Sequence, residues 1–292
     1  MVRHPSLAMP TTSVPHATPN PPPTPAVVEA PQRLSGPGAP SLQLAAALEA
    51  AEAAARVIRA FYQQNLAVEV KADKSPVTAA DVQSEQVIRA VLAGYFPDYG
   101  FYGEETGSER RDAEYLWLVD PIDGTKAFVR EYPMFSTQIA LMHRGRLVLG
   151  VSSAPLYGEL AFAERGYGAW LNGQRLRVSS LDRLEEAALS AGNLKTLARS
   201  PQWGAYGELV ARVSRIRGYG DFLHYHLLAA GKIDAVVESD VNILDIAALV
   251  SIVEEAGGRF TDLQGGEVGL ETTTVLATNR QLHAAVHAAI GY

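Results

Sequence analysis

The chain of 292 residues contains no cysteine. That absence excludes disulfides, thiolate metal sites and cysteine nucleophiles. Positive charge is also short: 25 Lys and Arg stand against 32 Asp and Glu, a formal net charge of −7, which argues against a nucleic-acid-binding surface. Acids that ligate a metal would overstate the charge of the loaded protein. No apolar run approaches the roughly 20 residues of a membrane-spanning helix, so no membrane partner is expected and the chain reads as cytoplasmic. What is left, with 47% hydrophobic and 20% charged residues, is a folded core for one large domain or two of ordinary size.

Proline is scarce outside one region. Residues 1–40 hold 11 of the 17 prolines, including Pro21-Pro22-Pro23, and only three charged residues, Arg3, Glu29 and Arg33. Such a segment buries too little apolar surface to offset its ordering entropy, so 1–40 is expected to be a disordered, Pro-rich tail. It has neither the apolar core of a signal peptide nor the arginine content of a transit peptide. A Pro-rich docking motif, a tail without a specific role and a misassigned start codon all stay open. Folding is expected to begin at Ser41, which can cap the helix after Pro40.

Periodicity then sorts the rest. Leu44, Leu48, Ala51, Ala55, Ile58 and Phe61 stand at helical spacing within 41–64. A second helix is predicted from about Thr78 to Ala93, with Thr78 and Asp81 as a capping box, a stripe of Ile88, Val91, Leu92 and Tyr95, and Gly94 and Pro97 closing it. Strands are predicted over 115–119, 136–142, 147–152 and 159–164, with Asn172-Gly173 as a hairpin turn into Leu176–Val178. After residue 183, strands (187–190, 216–219, 235–238, 275–278) alternate with helices (222–230, 243–256, 281–289). The pattern is α/β, two stacked sheet-and-helix halves with a cleft between them. The folded part, 41–292, divides into 41–182 and 183–292.

The segment Trp117-Leu-Val-Asp-Pro-Ile-Asp-Gly-Thr125 is where chemistry concentrates. An apolar run fit for a buried strand ends in two carboxylates, Asp120 and Asp123, and Pro121 is expected to stop the strand ladder because it lacks an N–H. Gly124 and Thr125 then open a turn or helix whose free N–H groups can hold an anion. Two carboxylates aimed at an anion make sense with a cation between them, and oxygen-only ligands favour a hard ion such as Mg2+. A loop with two solvated acids and a turn glycine is the other reading. Further acids belong with these. Glu104 follows the apolar approach Phe101-Tyr102, and Asp245 is a lone acid in the apolar stretch Ile243–Leu249, costly to bury unless paired or metal-bound. Asp245 can alternatively be read as an N-cap near a helix start.

Gly103-Glu-Glu105, Asp120-Pro-Ile-Asp-Gly-Thr125, Leu244-Asp245 and Glu255-Ala-Gly-Gly258, in this order, resemble the blocks of the inositol monophosphatase family from about residue 41 to the end. The resemblance implies a layered αβαβα sandwich of the inositol monophosphatase and fructose-1,6-bisphosphatase type, often dimeric, here expected as a homodimer. It implies an Mg2+-dependent phosphomonoesterase, with two or three ions per active site and a small-molecule phosphate ester as substrate. Carried over by position, Glu104, Asp120 and the backbone carbonyl of Ile122 would bind one ion, and Asp120, Asp123 and Asp245 a second. Thr125 and Asp81 match residues that orient the attacking water, with Glu104 also counted among the catalytic groups. Lys71 falls near a lysine of the family's mobile active-site loop. The physical logic agrees. Phosphomonoester hydrolysis is among the slowest uncatalysed reactions, so charge stabilisation and positioning must supply most of the rate. Two metal ions supply both, and no covalent nucleophile is required.

For the substrate, Gly124, Thr125 and Asp245 are expected to line the phosphate side and Asp221 and Glu238 the alcohol side. Glu238 stands where an acid of the family contacts a substrate hydroxyl. Gly218-Tyr-Gly-Asp-Phe222 resembles the histidinol-phosphatase branch, as do Lys126 and Phe128-Val-Arg130, and an aspartate suits a cationic amine better than a polyol. Asp221 can also be read as a helix N-cap. Ala127, Glu131 and Leu244 depart from that branch. His224 and His226, two residues apart, fall on different helix faces and are read as core or surface residues rather than metal ligands. Histidinol phosphate is therefore the expected substrate. An inositol, sugar or nucleotide phosphate is the alternative, and a non-catalytic phosphometabolite sensor is the alternative of another class.

Overall fold

Each of the first two helices starts where a side chain can occupy a free N–H. In the computed structural model, which describes residues 40–62, 68–70 and 76–292, Ser41 Oγ accepts from Leu44 N at 3.0 Å and opens α1 (Leu42–Phe61). The predicted tail over residues 1–39 and Lys71 lie outside the described residues. Thr78 and Asp81 form the predicted capping box at the start of α2 (Ala79–Tyr95), an arrangement worth about 1 kcal/mol. A two-stranded antiparallel ribbon, β1 (Val68–Val70) and β2 (Pro76–Thr78), leads into it. The helix runs through Gly94 rather than closing there, and Tyr95 is exposed, its hydroxyl donating to Glu49 at 2.7 Å.

Eight strands follow as one sheet: β3 (Gly100–Gly103), β4 (Gly107–Glu109), β5 (Tyr115–Asp123), β6 (Ser136–His143), β7 (Arg146–Ala154), β8 (Glu159–Glu164), β9 (Gly168–Leu171) and β10 (Gln174–Arg175). Their order is β10-β9-β8-β7-β6-β5-β3-β4, antiparallel except for the β3–β5 pair. Residues of period two point to opposite faces. Trp117, Val119, Ile139, Leu141, Leu149 and Val151 pack with Leu44, Ala47, Ala51, Ile88 and Leu92 of α1 and α2. Leu116, Leu118, Ala140 and Met142 pack on the other side with α5 (Asp221–Ala229) and α6 (Ile243–Glu255). Both faces are covered, which is why these strands read as nearly unbroken apolar runs. The Asn172-Gly173 turn closes β9 on β10 with φ of +49° and +78°, the left-handed pair that a two-residue hairpin needs. The strand ends at Arg175, short of the predicted Leu176–Val178, because Val178 N instead bonds Ala256 O, at 3.0 Å.

A second sheet holds β11 (Ala188–Ala191), β12 (Arg215–Arg217), β13 (Ala235–Ser239), β14 (Arg259–Thr261) and β15 (Thr274–Thr278), in the order β12-β11-β13-β15-β14. Val236, Phe260, Val275 and Ala277 face α5 and α6. Leu189, Ala235, Val237 and Leu276 face α4 (Trp203–Arg212) and α7 (His283–Ile290). The result is the expected αβαβα layering, with α5 and α6 as the middle layer against both sheets. Neither α4 nor β14 is foreseen from periodicity: the first buries only Tyr206 and Leu209, too few to write a stripe, and the second spans three residues. At Gly150 a Cβ would stand 2.2 Å from Ala248 O, so glycine there lets α6 lie directly on β7.

Candidate active site

Pro121 does not end its strand. Asp120 pairs with Gln138 and Asp123 with Ser136, so three steps on β5 face two on β6 and the extra residue forms a bulge. A bulge is where proline costs no ladder bond. Asp120 Oδ1 accepts from Ile122 N at 3.0 Å, and Thr137 Oγ1 donates to Pro121 O at 2.8 Å, so the bulge is pinned from both sides. It lets both Asp120 and Asp123 meet Asp245 of α6. One carboxylate oxygen from each of the three lies within 4.8 Å of the others. Asp120 is buried, while Asp123 and Asp245 are half-buried and open to solvent on one side. Glu104 comes from the end of β3, where its N–H donates to Val119 O at 3.2 Å, and its side chain hydrogen-bonds Asp120.

So much negative charge in so little water raises proton affinity. Burial, then the charges of Glu104, Asp123 and Asp245, push Asp120 well above the usual carboxylate range. Burial, then Asp245 and Asp221, do the same to Asp123. Asp245 rises to about 7, mainly by burial, against hydrogen bonds from Asn242 that favour its charged form. The N-cap of α6 is Asn242 rather than Asp245, which stands at the third helical position and accepts from Asn242 N and Nδ2 at 2.9 and 2.6 Å in a capping box. Asp245 thus takes part in the α6 capping box and faces the other two acids at once.

Thr125 begins α3 (Thr125–Val129) after Gly124, which sits at φ +93°, and a Cβ there would come within 2.6 Å of Met134 O. Thr125 Oγ1 lies 3.0 Å from Ile122 O and 3.2 Å from Asp81 Oδ1. The other Asp81 oxygen is taken by Thr78 N and Oγ1, at 2.8 and 2.6 Å. Burial raises the Asp81 pKa against those bonds.

Glu238 of β13, expected on the alcohol side, is buried and has partners at both carboxylate oxygens. Asn193 N donates to Oε1 at 3.0 Å, Tyr225 Oη to Oε2 at 2.8 Å, and His224 Nε2 lies 3.2 Å from Oε2. Burial works against its charge, but His224, Asn193 and Tyr225 outweigh it and hold Glu238 below the usual range. A Cβ on Gly192 would stand 1.9 Å from Glu238 Oε1, so the chain presses on that carboxylate. Asp221 does not cap α5. Gly220 holds that position, and Asp221 occupies the first turn at φ +45°, a strained value for a non-glycine residue. Burial and Glu238 raise its pKa.

Several site neighbours escape sequence reading. His224 and His226 part as expected and both lie in the core, but their polar partners were not foreseen: His224 turns to Ser190 and Glu238, His226 to Ser152 Oγ at 2.9 Å and Glu159 at 2.7 Å. Gln138 continues that chain, donating to Ser136 Oγ at 2.8 Å and Ser152 Oγ at 3.1 Å beneath the bulge. Three consecutive polar residues, Ser136-Thr-Gln138, at the start of a strand that is otherwise apolar were the available signal. Glu85, four residues after Asp81, accepts from Glu105 N at 2.8 Å and Thr106 N at 2.7 Å.

The comparisons with known proteins agree with this architecture. A family model described as the inositol monophosphatase family matches residues 41–291. The chain is 40% identical over 228 residues to the histidinol-phosphatase of Mycobacterium tuberculosis, covering 76% of this chain and 87% of that one. It is 37% identical over 232 residues to the inositol-1-monophosphatase of Mesorhizobium japonicum, covering 78% and 87%. The solved extragenic suppressor protein suhB of Bartonella henselae superposes with a TM-score of 0.77 at 34% identity, over 86% of this chain and 99% of that one. On a match that runs through every described layer, the chain belongs to the inositol monophosphatase family.

Proposed function

We propose that this phosphatase is Mg2+-dependent and hydrolyses histidinol phosphate. The observation that carries the metal reading is the convergence of Asp120, Asp123 and Asp245 oxygens within 4.8 Å, with Glu104 beside them. Oxygen-only donors whose mutual repulsion raises their proton affinity fit a hard divalent cation, which relieves that repulsion. Glu104, Asp120, the Ile122 carbonyl, Asp123 and Asp245 would hold two or three such ions. Bound there, Mg2+ supplies an activated water and charge neutralisation at the phosphoryl group.

The chain's own groups do the rest. Thr125 Oγ1 accepts a hydrogen bond from the incoming water and passes its own proton toward Asp81 Oδ1, 3.2 Å away. Asp81, with its raised pKa, suits that role. Gly124, at φ +93° and with Met134 O 2.6 Å from where a Cβ would stand, makes the turn that leaves the N–H groups opening α3 free to meet a phosphate. For the leaving alcohol, Glu238 already has partners at both oxygens, whereas Asp221 shows no hydrogen-bond partner for its side chain among the described residues. Asp221 is therefore the carboxylate left to bind an ammonium group, which favours histidinol phosphate over a neutral polyol phosphate. An inositol phosphate is the second reading, supported by the inositol-1-monophosphatase among the relatives. Phosphate release from both esters, with and without Mg2+, tests the proposal. Turnover that survives chelation overturns the metal reading, and equal kcat/KM for the two esters overturns the substrate reading.

A further inference from the structure

We propose that Glu85 is a positioning residue that sets the metal affinity of the site by fixing the turn that carries Glu104. The inference rests on the Mg2+ reading above. Glu85 is 0% exposed, and among the described residues no Lys, Arg or His pairs with it. A buried carboxylate without a counter-cation is expensive, and an apolar side chain would serve simple packing better. What Glu85 has instead is two N–H donors, Glu105 N on Oε2 and Thr106 N on Oε1. Both belong to the turn directly after Glu104. On the other side, Glu104 N is tied to Val119 O of β5. The Glu104 backbone is thus held from in front by Glu85 and from behind by the strand that bears Asp120.

The neighbouring glycine follows from the same geometry. A Cβ on Gly103 would stand 2.5 Å from the Glu85 carboxylate, so only glycine leaves room for it. Glu85 and Asp81 are four apart on α2, hence on one face. Asp81 reaches Thr78 and Thr125, and Glu85 reaches Glu105 and Thr106. One helix face therefore brackets the two turns that present Glu104 and Asp123. Residues that orient metal ligands without touching the ion change metal affinity by about 10–100-fold when removed.

The test is calorimetric titration of the full chain with Mg2+, alongside hydrogen exchange at the Glu105 and Thr106 amides and the metal-free Tm. Glu85→Gln keeps the volume but has one acceptor oxygen, and its amide nitrogen would face a backbone N–H. It is expected to raise the Mg2+ Kd about 10-fold, and Glu85→Ala toward 100-fold, with faster exchange at both amides. An Mg2+ Kd within about twofold of wild type overturns the proposal, however far the metal-free Tm falls, because a merely structural residue lowers Tm alone. Should Glu85→Ala fail to fold, Glu85→Gln decides. Wild-type protein that binds no Mg2+ refutes the metal reading itself, and that failure is visible before any variant is made.

Discussion

Removing an active-site acid should stabilise this protein when no metal is present. Three carboxylate oxygens within 4.8 Å repel one another; two unit charges at that separation cost about 3.5 kcal/mol at an effective dielectric of 20. Asp123 and Asp245 are open to solvent on one side, so water screening reduces each pair to about 1 kcal/mol. Asp123→Asn deletes two such pairs, a gain of about 2 kcal/mol, or roughly 4–8 °C in Tm for a domain of this size. The sign with pH follows from the raised pKa values. Between the unfolded carboxylate value of about 4 and the folded value, which for Asp245 is about 7, the folded state holds more protons than the unfolded. Metal-free stability therefore falls as pH rises through that window, and the gain from Asp123→Asn is present above it and absent near pH 4. Saturating Mg2+ should reverse the order, since ligand at 100 times its Kd adds about 2.7 kcal/mol to wild type and little to the variant. Thermal denaturation in chelator and in Mg2+, at pH near 4 and near 7.5, reads all four corners. An Asp123→Asn protein no more stable than wild type in chelator at neutral pH, or equally stabilised near pH 4, would refute the charge-cluster reasoning.

Other parts of the site give separable outcomes. Asp221→Asn is expected to raise KM for histidinol phosphate about tenfold, roughly 1.4 kcal/mol, with little change for inositol 1-phosphate, and parallel steady-state kinetics on both esters check it. Thr125→Val keeps the shape but removes the hydroxyl between the water and Asp81, so kcat should fall about 10²–10⁴-fold while the Mg2+ Kd from calorimetry stays near wild type. Gly150→Ala puts a Cβ where Ala248 O now stands 2.2 Å away. Because α6 must shift to admit it, about 1–3 kcal/mol of stability in urea should go, together with Mg2+ affinity, since Asp245 rides on that helix.

Short-range signals were legible in the sequence and long-range destinations were not. Alternation and helical spacing mark most elements of the αβαβα layers, because a strand covered on both faces and a helix with one buried stripe write their environment into adjacent residues. Pro121 misleads for the opposite reason. A proline halts a ladder only if its N–H is needed, and whether it is needed depends on the register with Ser136 and Gln138, fifteen or so residues away on β6. Glu85 reads as an ordinary helical acid until its partners, Glu105 and Thr106, are brought to it by the β3–β5 pairing.

The choice between cap and ligand at Asp245 is a different matter, because a place in the α6 capping box leaves the proposed ligand role open to the same carboxylate. Asp81 and Asp245 occupy the same position of two capping boxes, the third residue of α2 and of α6. Each gives one oxygen to the N–H of its own N-cap, at 2.8 and 2.9 Å, and a carboxylate fixed this way has lost most of its rotamer freedom before any ligand arrives. Asp81 keeps Oδ1 for Thr125, and Asp245 keeps a face toward Asp120 and Asp123. Helix capping thus preorganises two acids from different layers, Asp81 beside Thr125 and Asp245 beside Asp120 and Asp123. Replacing either cap partner should expose the coupling. Asn242→Ala removes a side chain that donates to Asp245 Oδ1 at 2.6 Å, so it should cost about 1 kcal/mol of stability in urea and, in the same protein, weaken Mg2+ binding about tenfold. A variant that lost the stability and kept the affinity would show that the cap and the site are independent after all.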